Sequence, residues 1–135
     1  MNKIILLLCI LGTIIAGDVG KACEYAKSHA QKTSTHYCAR YVAKALKAGG
    51  FQFHEQGSAY KYWKNNVLTG MGYKEVGKQS SYKDGDITVT ENNQYHKHGH
   101  IAIYCSGKWI SDFVQRSEKV YREHQPPIHY YTLEN

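Results

Sequence analysis

The sequence predicts an α+β domain in which N-terminal helices pack on an antiparallel sheet, and three observations carry that prediction. An apolar run closed by small residues occupies the first seventeen positions. Two stretches with helical apolar spacing follow before residue 50, and from about residue 72 the chain turns to short β-rich runs separated by Gly, Asn and Asp. Helices first and strands afterwards place the helices on one side of an antiparallel sheet.

Lys3, the apolar residues 4–11, and the close on Ala16 and Gly17 read as the three regions of a secretory signal peptide, residues 1–17, cleaved after Ala16 or Gly17. Cys9 lacks the small preceding residue that lipid attachment wants, and it leaves with the leader. About a dozen apolar residues fall short of the roughly 20 that span a bilayer, and no later run is longer. The expected product is secreted and extracellular, without a membrane anchor. Its 118 residues, 18–135, suffice for a single domain. They carry 16 Lys and Arg against 11 Asp and Glu, spread along the chain. With no recognisable nucleic-acid motif, that charge suits an anionic bacterial wall or cell surface rather than nucleic acid, although solubility alone accounts for it equally well.

Residues 18 to about 29 read as the first helix, with Ala22, Tyr25, Ala26 and His29 on one face. Thr33 or Ser34 supplies an N-cap for a second helix, which runs to about Ala48 and stops at Gly49 and Gly50. Cys38, Tyr41, Val42, Ala45 and Leu46 form its buried stripe, and Arg40, Lys44 and Lys47 its wet face. A short helical turn is expected over residues 58–65. Strands follow in "GYKEVG", "GDITVT", "HIAIYC" and "KWISDFV", and "IHYYTLE" after Pro126 and Pro127 adds an edge strand.

Three cysteines outlast the leader: Cys23, Cys38 and Cys105. In an oxidising compartment two pair and one stays free, as a buried structural residue, an intermolecular bridge or a nucleophile. Position singles out Cys38. Unpaired N–H groups and the dipole at a helix start favour a thiolate, and a nucleophilic cysteine there needs a histidine delivered from elsewhere. Among eight histidines, His100 opens a strand and is fixed by sheet geometry, whereas His96 and His98 lie in the approach loop. Asp112, on the following strand, is the candidate acceptor that orients the ring. Register decides this. A two-residue turn at Ser106 and Gly107 would set residue 105 against 108 and turn Asp112 away. A three-residue loop, 106–108, sets 105 against 109 and brings Asp112 diagonal to His100, with Trp109 on the opposite face among Ile101, Ile103 and Cys105. The longer loop is the expectation.

"STHYCARYVAKALKAGGF" resembles the nucleophile helix of the CHAP and NlpC/P60 cysteine amidases, and "DGDITVT" resembles their strand after a Gly-Asp turn. "HGHIAIYCSGKWISDFVQ" is similar to their histidine strand and its partner. Size and motif order most resemble the type VI secretion amidase effectors and their secreted animal relatives, the domesticated amidase effectors. The resemblance implies a papain-like fold and a cysteine-dependent peptidoglycan hydrolase that cuts amide bonds in stem peptides or cross-links, an antibacterial activity. It implies Cys38 as nucleophile, His100 as general base and acid, Asp112 as orienting group, and Cys23–Cys105 as an added disulfide. Cofactor and metal are expected to be none, the partner bacterial peptidoglycan, and the state monomeric.

Tyr60, Tyr62, Trp63 and Tyr95 are candidates to line a substrate groove. Two other readings compete. His96, His98 and His100 alternate, so on an extended strand they would project together and bind zinc or copper, although Lys97 and Gly99 make the approach a loop. A non-catalytic wall-binding protein would share every feature except a working Cys38.

Overall fold

The computed structural model describes residues 17–134, so most of the expected leader, with Cys9, lies outside the described residues. Helix α1 is Val19–His29, capped by the Asp18 carboxylate, which accepts the Lys21 N–H at 3.0 Å. It buries Ala22, Cys23 and Ala26. Helix α2, Cys38–Ala48, starts three or four residues later than Ser34 or Thr33 would set it, because Tyr37 occupies the N-cap position and His36 before it is left-handed at φ 68°. Its buried face is Val42, Ala43, Ala45 and Leu46, and Gly49 and then Gly50, at φ 84°, end it. Two single turns follow, α3 (Lys61–Lys64) in the region expected to be helical and α4 (Val67–Gly70), which the sequence reading lacks.

Five strands make one antiparallel sheet: β1 Tyr73–Val76, β2 Ile87–Thr90, β3 His100–Cys105, β4 Lys108–Ile110 and β5 Ile128–Leu133, in the order β1-β5-β2-β3-β4. Helices packed on one face of an antiparallel sheet are the α+β arrangement expected. The C-terminal strand is not at an edge, however. It fills the slot between β1 and β2, pairing with both, and its Tyr130 and Tyr131 are buried.

The β3–β4 hairpin corrects the expected register. Cys105 pairs with Lys108 and Tyr104 with Trp109, so the turn is the two-residue Ser106-Gly107, with both residues at positive φ (53° and 81°). Those angles are those of the tight turn that matches strand twist. Trp109 therefore lies with Tyr104, in edge contact at 4.9 Å, and not with Ile101 and Ile103. Beyond Ile110 the strand does not continue. The chain reverses at Ser111 to Phe113, so that Ile110 bridges Val114 and the Gln115 N–H donates to the Trp109 carbonyl at 2.8 Å.

The core between helices and sheet holds Ala22, Val42, Leu46, Leu68, Ile87, Val89, Ile101 and Ile103. The sulfurs of Cys23 on α1 and Cys105 at the end of β3 are bonded at 2.13 Å across a separation of 82 residues, which fastens the first helix to the sheet. Cys38 is the free cysteine among the described residues. No helix among them is long and apolar enough to cross a membrane.

Candidate active site

Cys38 is the first residue of α2, so its own N–H and the next two lack intrahelical partners. The segment leading to it is latched to the sheet by Asp112. One carboxylate oxygen of Asp112 accepts both the Thr35 N–H and the Thr35 hydroxyl, the latter at 2.8 Å, and the Asp112 carbonyl accepts the Gln31 N–H at 2.7 Å. Asp112 sits near the tip of the reversal after β4 and is fully buried, and its second oxygen, Oδ1, has no hydrogen-bond partner. Burial pushes its carboxyl up, but the bonds from Thr35 outweigh burial and hold it below its ordinary value.

His100, the first residue of β3, is buried. The approach to it demands Gly99, at φ 63°, because a Cβ there would stand 2.3 Å from the Thr90 carbonyl oxygen. Its Nε2 lies 2.7 Å from Gln115 Oε1. An amide oxygen only accepts, so Nε2 carries the proton and Nδ1 is the basic nitrogen. Gln115 is itself held, its Nε2 donating to the Ser117 carbonyl at 3.0 Å. The Tyr121 ring meets the His100 ring edge-on at 6.2 Å, and the Tyr121 hydroxyl donates to the Gly99 carbonyl at 2.9 Å.

Cys38, His100 and Asp112 line one cleft of about 450 Å³, together with Tyr95, Phe113 and Tyr121. A second cleft of about 450 Å³ opens on the other side of Cys38, lined by Tyr37, Arg40, Glu55, Gln56 and Ala59, and shares His36, Cys38 and His98 with the first. The thiol thus stands where two clefts meet. Burial pushes it up to about 11; the Ile101 N–H counters that in part, and the Asp112 charge adds to it. Burial likewise lowers the His100 imidazole, against the opposing pull of the Gln115 bond and the Asp112 charge. Near neutral pH a neutral thiol and a neutral imidazole share the cleft.

The three sequence-predicted residues therefore come together in one cleft, with Asp112 bonded to Thr35 while Gln115 takes the ring nitrogen. Gln115 was missed because the sequence reading ran β4 straight on past Ile110; the one available signal was a polar residue ending the apolar run "WISDFVQ". Of the four groove aromatics, Tyr95 alone lines these two clefts: Tyr62 is buried, and Trp63 stacks on His129 at 4.2 Å. The three alternating histidines diverge. His96 Nε2 bonds the Glu123 carbonyl at 3.0 Å, His98 Nδ1 the Ser58 hydroxyl at 2.7 Å, and His100 bonds Gln115. Among the described residues no group of three or more His, Cys, Asp or Glu is placed to hold a metal.

Fold and site together define a class, a small α+β domain that sets a helix-start cysteine against a sheet-borne histidine. No family model matches the chain, and none of the curated proteins is similar to it. Two solved structures are: the type VI effector–immunity complex Tae3–Tai3 from Ralstonia pickettii, in its native form (33% identity, TM-score 0.75, covering 87% of this chain and 99% of that one) and its selenomethionine form (35%, 0.73, 82% and 98%). The chain belongs to the family of the type VI effector Tae3.

Proposed function

We propose that this protein is a peptidoglycan amidase that cuts amide bonds in bacterial stem peptides or cross-links with Cys38 as nucleophile. One observation carries the reading: on the fold of a type VI effector, the unpaired cysteine at a helix start shares a cleft with a histidine whose tautomer is fixed. The NlpC/P60 likeness of the motifs supports the same chemistry.

The protonation states shape the mechanism. His100 Nδ1 takes the Cys38 proton as Sγ attacks the scissile carbonyl, so the thiolate forms during attack and is not stored beforehand. The free N–H groups at the start of α2 face the developing oxyanion. The imidazolium gives its proton to the leaving amine, leaving a thioester. His100 then deprotonates a water, whose attack releases the carboxylate and restores the thiol. Gln115 holds the ring by its Nε2–H throughout, and the Asp112 charge favours the imidazolium between the two proton transfers.

The leader expected over residues 1–17 supports export, and we place the action outside the cell, against bacteria. The net positive charge would gather the enzyme on anionic wall polymers, an attraction that salt weakens. The solved relatives are held by an immunity protein, and an inhibitory partner of that kind is proposed for this otherwise monomeric chain. The test is digestion of purified peptidoglycan by wild type and by Cys38→Ala, with fragments identified by mass spectrometry. New amine and carboxylate ends that vanish in the mutant establish the reading and name the bond; equal digestion by both proteins sinks it.

A further inference from the structure

Two stacked aromatic pairs stand on the wall of the His100 cleft. In the inner one the His96 ring lies on Tyr121 at 3.5 Å and 11°, and Tyr121 in turn abuts His100, so that pair is accounted for by the catalytic histidine. The outer pair has no such use. Tyr95 lies on His124 at 3.7 Å and 10°, two rings stacked as a slab. Tyr95 is 56% exposed although one of its faces is covered by His124, so the open area is the opposite face and the edges.

The slab is also fixed in place. Asn93 Oδ1 accepts the N–H groups of Tyr95 (2.9 Å) and His96 (2.8 Å), while Asn93 Nδ2 donates to the His124 carbonyl (2.9 Å). One side chain thus ties together the two segments that carry the rings. A tyrosine held this way loses little freedom when something stacks on it. Its surroundings are polar: Lys97, His98 and Ser34 share the cleft wall. A single exposed ring with a polar margin is far smaller than the apolar patch of a protein interface or a lipid-binding surface. It matches one pyranose, whose C–H face meets the negative face of the ring while hydroxyl and N-acetyl groups stay in water.

We propose that the Tyr95–His124 slab is a carbohydrate subsite: an N-acetylhexosamine ring of the glycan strand stacks on the open face of Tyr95 while the attached stem peptide runs down the cleft to Cys38. This deepens the peptidoglycan reading and rests on it for the identity of the sugar.

The test uses binding, which needs no turnover. A peptide-free tetrasaccharide of alternating N-acetylglucosamine and N-acetylmuramic acid is titrated into wild type, Tyr95→Ala and Tyr95→Trp, with ring signals followed by NMR. The expected result is shifts centred on Tyr95 and His124, affinity about tenfold weaker in Tyr95→Ala, and retention in Tyr95→Trp, which keeps a flat face. No binding to wild type, equal binding by Tyr95→Ala, or loss in Tyr95→Trp as severe as in Tyr95→Ala would overturn the subsite. Wild type that digests sacculi without binding the tetrasaccharide refutes the subsite alone; tetrasaccharide binding without digestion upholds the subsite and refutes the amidase.

Discussion

Replacing Gln115 by leucine removes the side chain that bonds the His100 ring and leaves Asp112 in place. His100 and Gln115 are both buried residues, 7% and 4% exposed, and His100 Nε2 meets Gln115 Oε1 at 2.7 Å. Leucine fills the space but leaves the imidazole N–H without an acceptor, which costs about 1–3 kcal/mol. Part of that cost appears as lost stability. The rest falls on catalysis, because an unheld imidazole populates the tautomer with Nδ1 protonated; with about half of the cost carried there, at about 1.4 kcal/mol per factor of ten, kcat/KM should fall about 2- to 10-fold. Gln115→Glu sets a carboxylate beside the same nitrogen and favours the imidazolium, so the acid limb of kcat/KM should move up by about one pH unit. Asp112→Asn acts oppositely: removing a charge that raises His100 moves the acid limb down. The assay is kcat/KM on a soluble muropeptide from pH 4 to 9, with urea unfolding in parallel. Gln115→Leu at wild-type kcat/KM, or Gln115→Glu with an unmoved acid limb, would refute this assignment of the orienting role.

With its thiol near 11, Cys38 should react slowly with iodoacetamide at pH 7 and about tenfold faster with each pH unit until the rate levels off near 11; a plateau below pH 8 would reveal a stored thiolate instead. Cys23→Ala with Cys105→Ala removes a bridge across 82 residues, worth about 4.5 kcal/mol on the chain-entropy account, and should lower Tm without changing the acid limb of activity. Because Asp112 is depressed below its ordinary 3.8, its contribution to stability is present above that value and lost as pH falls through the folded value. His100, depressed below 6.5, stabilises fully above 6.5 and progressively less as pH falls from there. Urea unfolding should therefore show the stability gap between wild type and Asp112→Asn closing below about pH 4.

Much of this architecture was legible because it rests on local periodicity. The stripe Val42, Ala45, Leu46 and the alternation in "HIAIYC" are backbone periods written directly into side chains. What failed was everything set by non-local pairing. The start of α2 follows from Asp112 pulling Thr35 to the sheet, a contact across 77 residues that outcompetes the capping potential of Thr33 or Ser34. The interior place of β5 depends on two partner strands, although its own sequence looks like an edge. The hairpin register was misread because Ser106 carries a left-handed backbone that its side chain does not announce. Extrapolating that register to Asp112 failed again, since β4 ends at Ile110. Yet Cys38 and His100 reached one cleft, because each was placed by the start of its own element and needed no register at all.

The neutral thiol gives the two sulfur roles in this chain a common logic. A stored thiolate would be the species most exposed to oxidation and disulfide exchange, and the proposed working environment is oxidising. Cys38 is half-buried and raised by burial and by the Asp112 charge; in the proposed mechanism it becomes a nucleophile only when His100 takes its proton in the presence of a carbonyl. Cys105, the other cysteine near the histidine strand, is fully buried and already committed to Cys23 at the opposite end of β3 from His100. The fold thus separates bridge from nucleophile by the six-residue length of one strand. The same Asp112 that latches the segment before Cys38 through Thr35 also raises the Cys38 thiol by its charge, so one buried carboxylate both positions the sulfur and keeps it protonated at rest.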